Sequence, residues 1–351
     1  MSARLQAALI SAWTRRGPLA CALLPLAALY GALAGLRGAL YRLGWRSATR
    51  LPVPVVVVGN VIVGGAGKTP VTLAVAEHLK ARGWQPGIVS RGYGRAGDGC
   101  REVMPGADPR AVGDEPLLLR RRAGVPVFVA RRRAQAARAL LAAHPECDIL
   151  LCDDGLQHLA LARDVDVVVF DARGAGNGWL LPAGPLREPW PRKTFDLVLQ
   201  TEAGDAPLAL PPGAQLFEAR RALAGEALRA DGARVLLAAL RGQPLAALAG
   251  IARPEAFFAM LRAAGLTLVQ THALPDHYDF NSYTPRNILA KTLICTEKDA
   301  IKLWPLAPDA LAVPLALEVP PAFYAALDER LAARGYHPRR TSPEHHGPQT
   351  A

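Results

Sequence analysis

The chain has 351 residues, long enough for two domains with separate cores, and at 51% hydrophobic it is richer in apolar residues than an average soluble protein. Net charge is +11, and residues 1–76 hold seven arginines, one lysine and no acid, which suits an anionic membrane surface or nucleic acid. Five scattered cysteines (Cys21, Cys100, Cys147, Cys152, Cys295) form no CxxC pair, so neither a disulfide framework nor a zinc site is suggested.

In chain order, residues 17–36 come first. They run twenty positions without a charge, are rich in Leu and Ala, and are flanked by Arg15, Arg16, Arg37, Arg42 and Arg46. That length could span a bilayer, although Pro25, Gly31 and Gly35 weaken it as a simple spanning helix, and no second span follows. A cleaved signal peptide fits poorly, because the segment continues into a basic helix within the first fifty residues. The reading is a helix embedded in, or lying on, the inner face of a membrane, against the alternative of a buried core helix.

Residues 53–58 form a β-branched apolar run that leads into a glycine-rich turn, Ile62-Val63-Gly64-Gly65-Ala66-Gly67-Lys68-Thr69, and then into a helix over 71–80. Strand, glycine loop, Lys-Thr and helix is the order of a phosphate-binding loop. Its backbone N–H groups and the helix dipole face the phosphates, Lys68 reaches the β- and γ-phosphates, and the Thr69 hydroxyl ligates Mg²⁺. Ile62 stands where the strict pattern has its first glycine, and Gly64 and Gly65 supply the flexibility instead. An ordinary Gly-rich turn is the bland alternative.

Strand-like runs recur at 87–90, 125–130, 149–152, 167–170 and 197–200, with helical stretches such as 132–143 between them. Alternation of this kind predicts a mostly parallel sheet covered on both faces, with ligands beyond the carboxyl ends of its strands. Four motifs fall there. Ser90-Arg91-Gly92-Tyr93-Gly94-Arg95 could clamp a phosphate or form only a basic turn; Gly113-Asp114-Glu115-Pro116 sets two carboxylates where a helix opens, which is also how helices are capped. Asp153-Asp154-Gly155-Leu156-Gln157-His158 ends an apolar strand in the manner of a magnesium-binding carboxylate. Residues 167–171 repeat the run-then-acid form with Asp171, and the doubled acid favours Asp153. Residues 181–189 make a proline-punctuated loop that includes Arg187.

From 203 to 212 the chain turns small, polar and Pro-rich, as in a linker. A second unit follows, with strands at 235–237, 266–270 and 292–296 and an amphipathic helix over 254–264. It also carries Asp276-His277 and Thr296-Glu297-Lys298-Asp299. The expected organisation is a basic helical segment at 1–50, a core at 51–205, a linker region at 206–230, a smaller α/β domain at 231–338 and a disordered tail at 339–351.

Together these motifs resemble the tetraacyldisaccharide 4′-kinases, the lipid A 4′-kinases of Gram-negative bacteria. The resemblance is carried by Gly59-Asn60 with the loop 63–70, by residues 90–95, 113–116, 153–158 and 181–189, by Asp276-His277 and by residues 296–299, in the family's order. Leu156 departs from the usual Phe. The resemblance implies an α/β fold with a P-loop NTPase-like, mostly parallel sheet domain, a second smaller α/β domain and an N-terminal membrane-associated helix. It implies ATP and Mg²⁺ as cofactors, and phosphorylation of the 4′-hydroxyl of a tetraacylated glucosamine disaccharide 1-phosphate. The expected setting is a monomer at the cytoplasmic face of the inner membrane, with no nucleic-acid partner. Asp114 and His277 would form a dyad that deprotonates the sugar hydroxyl, with Glu115, Asp153 and Thr69 around magnesium, Lys68 on the transferring group, and Asp154 in the site. Arg91, Tyr93, Arg95, Gln157, His158 and Arg187 are candidates for the lipid substrate. The competing classes are a P-loop GTPase or metal-chaperone NTPase, and a nucleic-acid binder. A GTPase needs a guanine-reading motif, and in Thr296-Glu297-Lys298-Asp299 the lysine falls one place late.

Overall fold

The computed structural model describes residues 11–65, 67–192, 195–204, 207–211, 213–251, 253–276, 278–280 and 290–339. Eight strands form the first sheet: β1 (Val55–Gly59), β2 (Pro86–Ser90), β3 (Arg101–Glu102), β4 (Val127–Val129), β5 (Ile149–Asp153), β6 (Val165–Phe170), β7 (Leu197–Gln200) and β8 (Leu216–Glu218). Their order is β3-β4-β2-β5-β1-β6-β7-β8, and every pairing is parallel except β3 with β4. β1 is buried along its whole length, which its four valines suit, since β-branched chains pack well on a pleated surface. Val56 and Val58 enter the core on one face, Val55 and Val57 the core on the other.

The N-terminal helices are α1 (Pro18–Ala22) and α2 (Leu24–Arg42), the latter with Pro25 in its first turn, where a missing N–H costs nothing. On the core sheet lie α3 (Lys68–Ala81), α4 (Pro109–Val112), α5 (Asp114–Ala123) and α6 (Arg133–Ala143). Register fixes the site: Val58 pairs with Asp153, and Val89 with Cys152. The phosphate loop, Ser90 and Asp153 therefore leave the sheet at one place.

The second sheet contains β10 (Glu226–Leu228), β11 (Arg234–Leu236), β12 (Pro244–Ala249), β13 (Thr267–Ala273), β14 (Thr292–Thr296) and β15 (Leu311–Val313), in the order β11-β10-β15-β14-β12-β13. Helix α7 (Pro254–Ala263) covers one face through Phe257, Phe258 and Leu261, and α8 (Glu297–Leu303) covers the other through Ala300 and Leu303. A two-stranded antiparallel ribbon joins the halves: β9 (Arg220–Leu223) leads out and β16 (Leu315–Glu318) leads back.

Two expected boundaries shift. The linker region 206–230 holds β8, β9 and β10, strands of three or four residues, too short to show a period. Helix α9 (Pro321–Ala332), expected within the smaller domain, packs on the first sheet, where Phe323 meets Phe217 edge-on at 5.5 Å. Of the expected tail, residues 340–351 lie outside the described residues, and the Arg339 backbone N–H donates to Asp148 Oδ2 at 3.0 Å.

Candidate active site

The phosphate loop turns through Gly64 (φ +99°) and Gly67 (φ +79°), left-handed positions that favour glycine, and Lys68 opens α3 directly after it. Ile62, where the strict pattern has glycine, is buried and bridges antiparallel to Leu186. The Val63 N–H donates to Pro185 O at 2.9 Å, and the Arg187 N–H to Val61 O at 2.7 Å. The loop's first half is thus zipped to the proline-rich loop. Asn60, fully buried, accepts from Lys68 Nζ (3.3 Å) and donates to Gly64 O (3.2 Å). Ala66 lies outside the described residues.

The strand-end acids differ in environment. Asp153 is buried and accepts from Thr72 Oγ1 (3.3 Å) and Ser90 Oγ (3.2 Å). Burial, with the nearby charges of Glu115 and Asp154, pushes its carboxyl up to about 7 against the pull of Lys68. Asp154 is half-buried, and desolvation alone would raise it, but Lys68 at 3.7 Å, Arg187 at 3.1 Å and Arg133 together hold it below the usual range. Its backbone sits at φ +51°, and Arg133 Nη2 donates to its carbonyl at 3.0 Å. Arg187 also donates to Gln157 Oε1, whose Nε2 donates to Asn60 O and to Glu188 Oε1.

Of the other candidates, His158 is half-buried and its Nε2 has no hydrogen-bond partner among the described residues; burial, then Arg133 and other arginines, lowers it to about 4, so the ring is neutral at pH 7. Arg95 has both terminal nitrogens buried without a hydrogen-bond partner among the described residues. Arg91 and Tyr93 stand exposed on the same turn.

The second domain faces this site across a cleft of about 710 Å³. Gly65, Gly67, Lys68, Thr69 and Glu115 line one wall; Phe257, Met260, Glu297 and Lys298 line the other. Lys302 pairs with Asp114 at 2.5 Å, and Lys298 reaches Asp276 at 2.9 Å and Glu115 at 3.8 Å. His277 lies outside the described residues. Sequence reasoning missed the ribbon residue Arg221, which is ion-paired to Glu202 at 2.8 Å and stands over Gly67. It also missed Arg133, a cation opening a helix that looks purely amphipathic. No local pattern marks either one.

Thr69, Asp153 and Glu115 offer only oxygen donors, which suits Mg²⁺, and the charges of Glu115 and Asp154, which add to burial in raising Asp153, are what a divalent cation offsets. Among the described residues no group of three His, Cys, Asp or Glu could hold a metal unaided. Hydroxyl and phosphate oxygens fit as the remaining ligands.

A glycine loop between β1 and α3, with the acid of the adjacent β5 beside it in a parallel sheet, defines a P-loop kinase fold. The sequence profile of the tetraacyldisaccharide-1-P 4′-kinases (LpxK) matches residues 19–332, and the chain belongs to that family. The tetraacyldisaccharide 4′-kinase of Acidovorax sp. (strain JS42) is 64% identical over 322 residues, covering 92% of this chain and 94% of that protein. That of Polaromonas naphthalenivorans (strain CJ2) is 52% identical over 350 residues, covering 97% and 98%. The crystal structure of the "apo" form of LpxK from Aquifex aeolicus in complex with ATP is similar in fold, with a TM-score of 0.77 at 28% identity. The match covers 89% of this chain and 99% of that one.

Proposed function

We propose that the protein transfers the γ-phosphate of ATP to the 4′-hydroxyl of tetraacyldisaccharide 1-phosphate, a step of lipid A biosynthesis. The observation that carries this reading is the convergence of Lys68, Asp153 and Asp154 at the end of β1 and β5, in a chain of this family. Lys68 binds the β- and γ-phosphates and offsets charge developing on the transferring group. Thr69, Asp153 and Glu115 would hold Mg²⁺, which would supply charge neutralisation on the phosphates. Asp114 orients His277, which takes the proton from the sugar hydroxyl. Asp154, kept ionised by Lys68 and Arg187, holds both cations in place. Arg91, Tyr93, Arg95, Gln157, His158 and Arg187 receive the disaccharide phosphate. The Arg95 guanidinium, whose terminal nitrogens have no hydrogen-bond partner among the described residues, and the neutral His158 suit that task, offering donors that water or substrate must satisfy.

The same reading places the protein as a monomer on the cytoplasmic face of the inner membrane, with no nucleic-acid partner. Helix α2 is long and apolar enough to cross a membrane by length and composition. Its Leu26, Leu29, Leu33 and Leu36 are exposed, while Ala27 is buried and Tyr30 Oη donates to Arg187 O at 2.7 Å. An apolar outer stripe beside the substrate loop suits a lipid acceptor. The guanine-reading alternative is disfavoured by Lys298, whose ammonium pairs with Asp276 and Glu115.

The test is transfer of label from γ-labelled ATP to disaccharide 1-phosphate in detergent micelles. Labelled lipid from the parent and none from Lys68→Ala supports the reading. GTP preference with turnover lacking any acceptor overturns it.

A further inference from the structure

Strand β6 is followed directly by an acid, Asp171, where β5 ends in Asp153, and the two strands flank β1 on opposite sides. Asp171 takes no part in the acid cluster. It is 1% exposed, and its carboxylate accepts from the backbone N–H of Arg173 (3.0 Å), from Arg173 Nε (3.1 and 3.0 Å) and from Nη2 (2.8 Å). The guanidinium, gripped on one edge, turns its terminal nitrogens to the phosphate loop: Nη1 donates to Val63 O at 3.2 Å and Nη2 to Gly65 O at 3.4 Å. A Cβ on Gly64 would lie 3.2 Å from Nη1, so the loop runs close against this arginine.

The carbonyl and the following N–H of a trans peptide point in opposite directions. Drawing the Val63 carbonyl toward Arg173 therefore turns the Gly64 N–H away from it. Asn60 restrains the next carbonyl, Gly64 O, at 3.2 Å. Consecutive carbonyls of the loop are thus held by side chains, and the amides are set before any phosphate arrives. Such fixation matters here because Ile62 occupies the place of the first glycine.

We propose that Arg173, seated on Asp171, is a positioning residue that presets the phosphate loop and so sets nucleotide affinity without touching the nucleotide. This rests on the reading of the loop as an ATP site. An isolated ion pair on the rim would affect stability alone, because exposed pairs contribute little and do so locally. Lysine cannot replace the arginine fully, since its single ammonium lacks the fork that spans Asp171 and two carbonyls.

The experiment measures ATP affinity by calorimetry on the full chain in detergent, together with KM for ATP and for lipid acceptor and the melting temperature. The variants are Arg173→Met, Arg173→Lys, Asp171→Asn and the double variant. Arg173→Met is expected to weaken ATP binding about tenfold or more, with lipid KM unchanged and little loss of melting temperature. Arg173→Lys should fall between, and the double variant should lose no more than Arg173→Met, because both residues act as one unit. If Asp171→Asn does not fold, Arg173→Met carries the test alone. Unchanged ATP affinity in Arg173→Met, beside a parent that binds ATP and phosphorylates lipid, overturns this inference only. A parent that binds no nucleotide overturns the ATP-site reading beneath it.

Discussion

The ammonium of Lys302, on α8 of the second domain, lies 2.5 Å from the carboxylate of Asp114 at the start of α5 in the first. Lys298, one helical turn earlier on the same face, reaches Glu115 and Asp276. The second domain thus delivers two cations to the acid pair that opens α5. Asp114 is nearly buried, so removing its cation leaves a carboxylate with much less opposing charge. Lys302→Met is expected to lower kcat on the order of tenfold to a hundredfold with ATP affinity nearly intact, and Lys302→Arg to keep part of the rate. Steady-state kinetics beside direct nucleotide binding decides it, and an unchanged kcat would show that the acid pair needs no help from α8.

Lys68→Ala should abolish phosphoryl transfer while the melting temperature stays near that of the parent. Among the described residues its side chain is held by Asn60 and Asp154 at the loop's edge, not in a core. Transfer assays and thermal melts on the same preparation check both halves. A variant with near-parental turnover would remove the phosphate loop from the mechanism.

Asp153 and His158 make opposite contributions to the pH dependence of stability. Burial, then Glu115 and Asp154, raises the Asp153 carboxyl from 3.8 to about 7. Between those pH values the native state keeps a proton that the unfolded chain has lost, so stability falls as pH rises. His158 is lowered from 6.5 to about 4, first by burial and then by Arg133. There the unfolded chain binds the extra proton, and stability rises with pH across nearly the same window. Without metal, Asp153→Asn should therefore be more stable than the parent above pH 7 by about 1–2 kcal/mol, with the gain fading toward pH 4. His158→Gln should show its gain near pH 4 and lose it above 6.5. Urea unfolding at a series of pH values reads both, and a difference that does not vary with pH contradicts the assignment.

Leu29→Glu with Leu33→Glu places two charges on the exposed stripe of α2, away from Ala27 and Tyr30. Sedimentation with anionic vesicles should drop several-fold at an unchanged melting temperature, since burying a charge in lipid costs a few kcal/mol. Equal sedimentation of parent and variant would assign the stripe some other partner.

The parts of the molecule legible in the sequence are those whose signal is local. The valines of β1, the Gly67-Lys68-Thr69 turn and Asp153 at the end of β5 lie within single strand–turn segments, and each occupies its expected element. β12, a central strand of the second sheet, escaped notice because its Leu and Ala residues carry no β-branched signature and suit a helix equally. The bridge from Ile62 to Leu186 and the reach of Lys302 to Asp114 depend on how distant segments dock, which no window of sequence records. Asp153 ends β5 and Asp171 directly follows β6, two runs of the same form; the doubled acid at 153–154 favours the first, and the neighbours they meet in space, Arg173 for Asp171 and Ser90 with Thr72 for Asp153, show how their surroundings differ.

The return of the chain along β16 has a consequence for biosynthesis. Phe323, Leu327 and Leu331 of α9 lie in the same core as Val56, Val58 and Leu79, yet the whole second sheet is made between β8 and α9. A nascent chain that has already emerged through β15 holds every strand of the second sheet, while the first core still lacks the helix that covers it. Domains fold as units while the chain is extruded, so the half that begins later in the sequence is the first able to finish. A nascent chain exposed as far as β15, with α9 still to emerge, would display a completed second domain beside a nucleotide fold still open to water along one face.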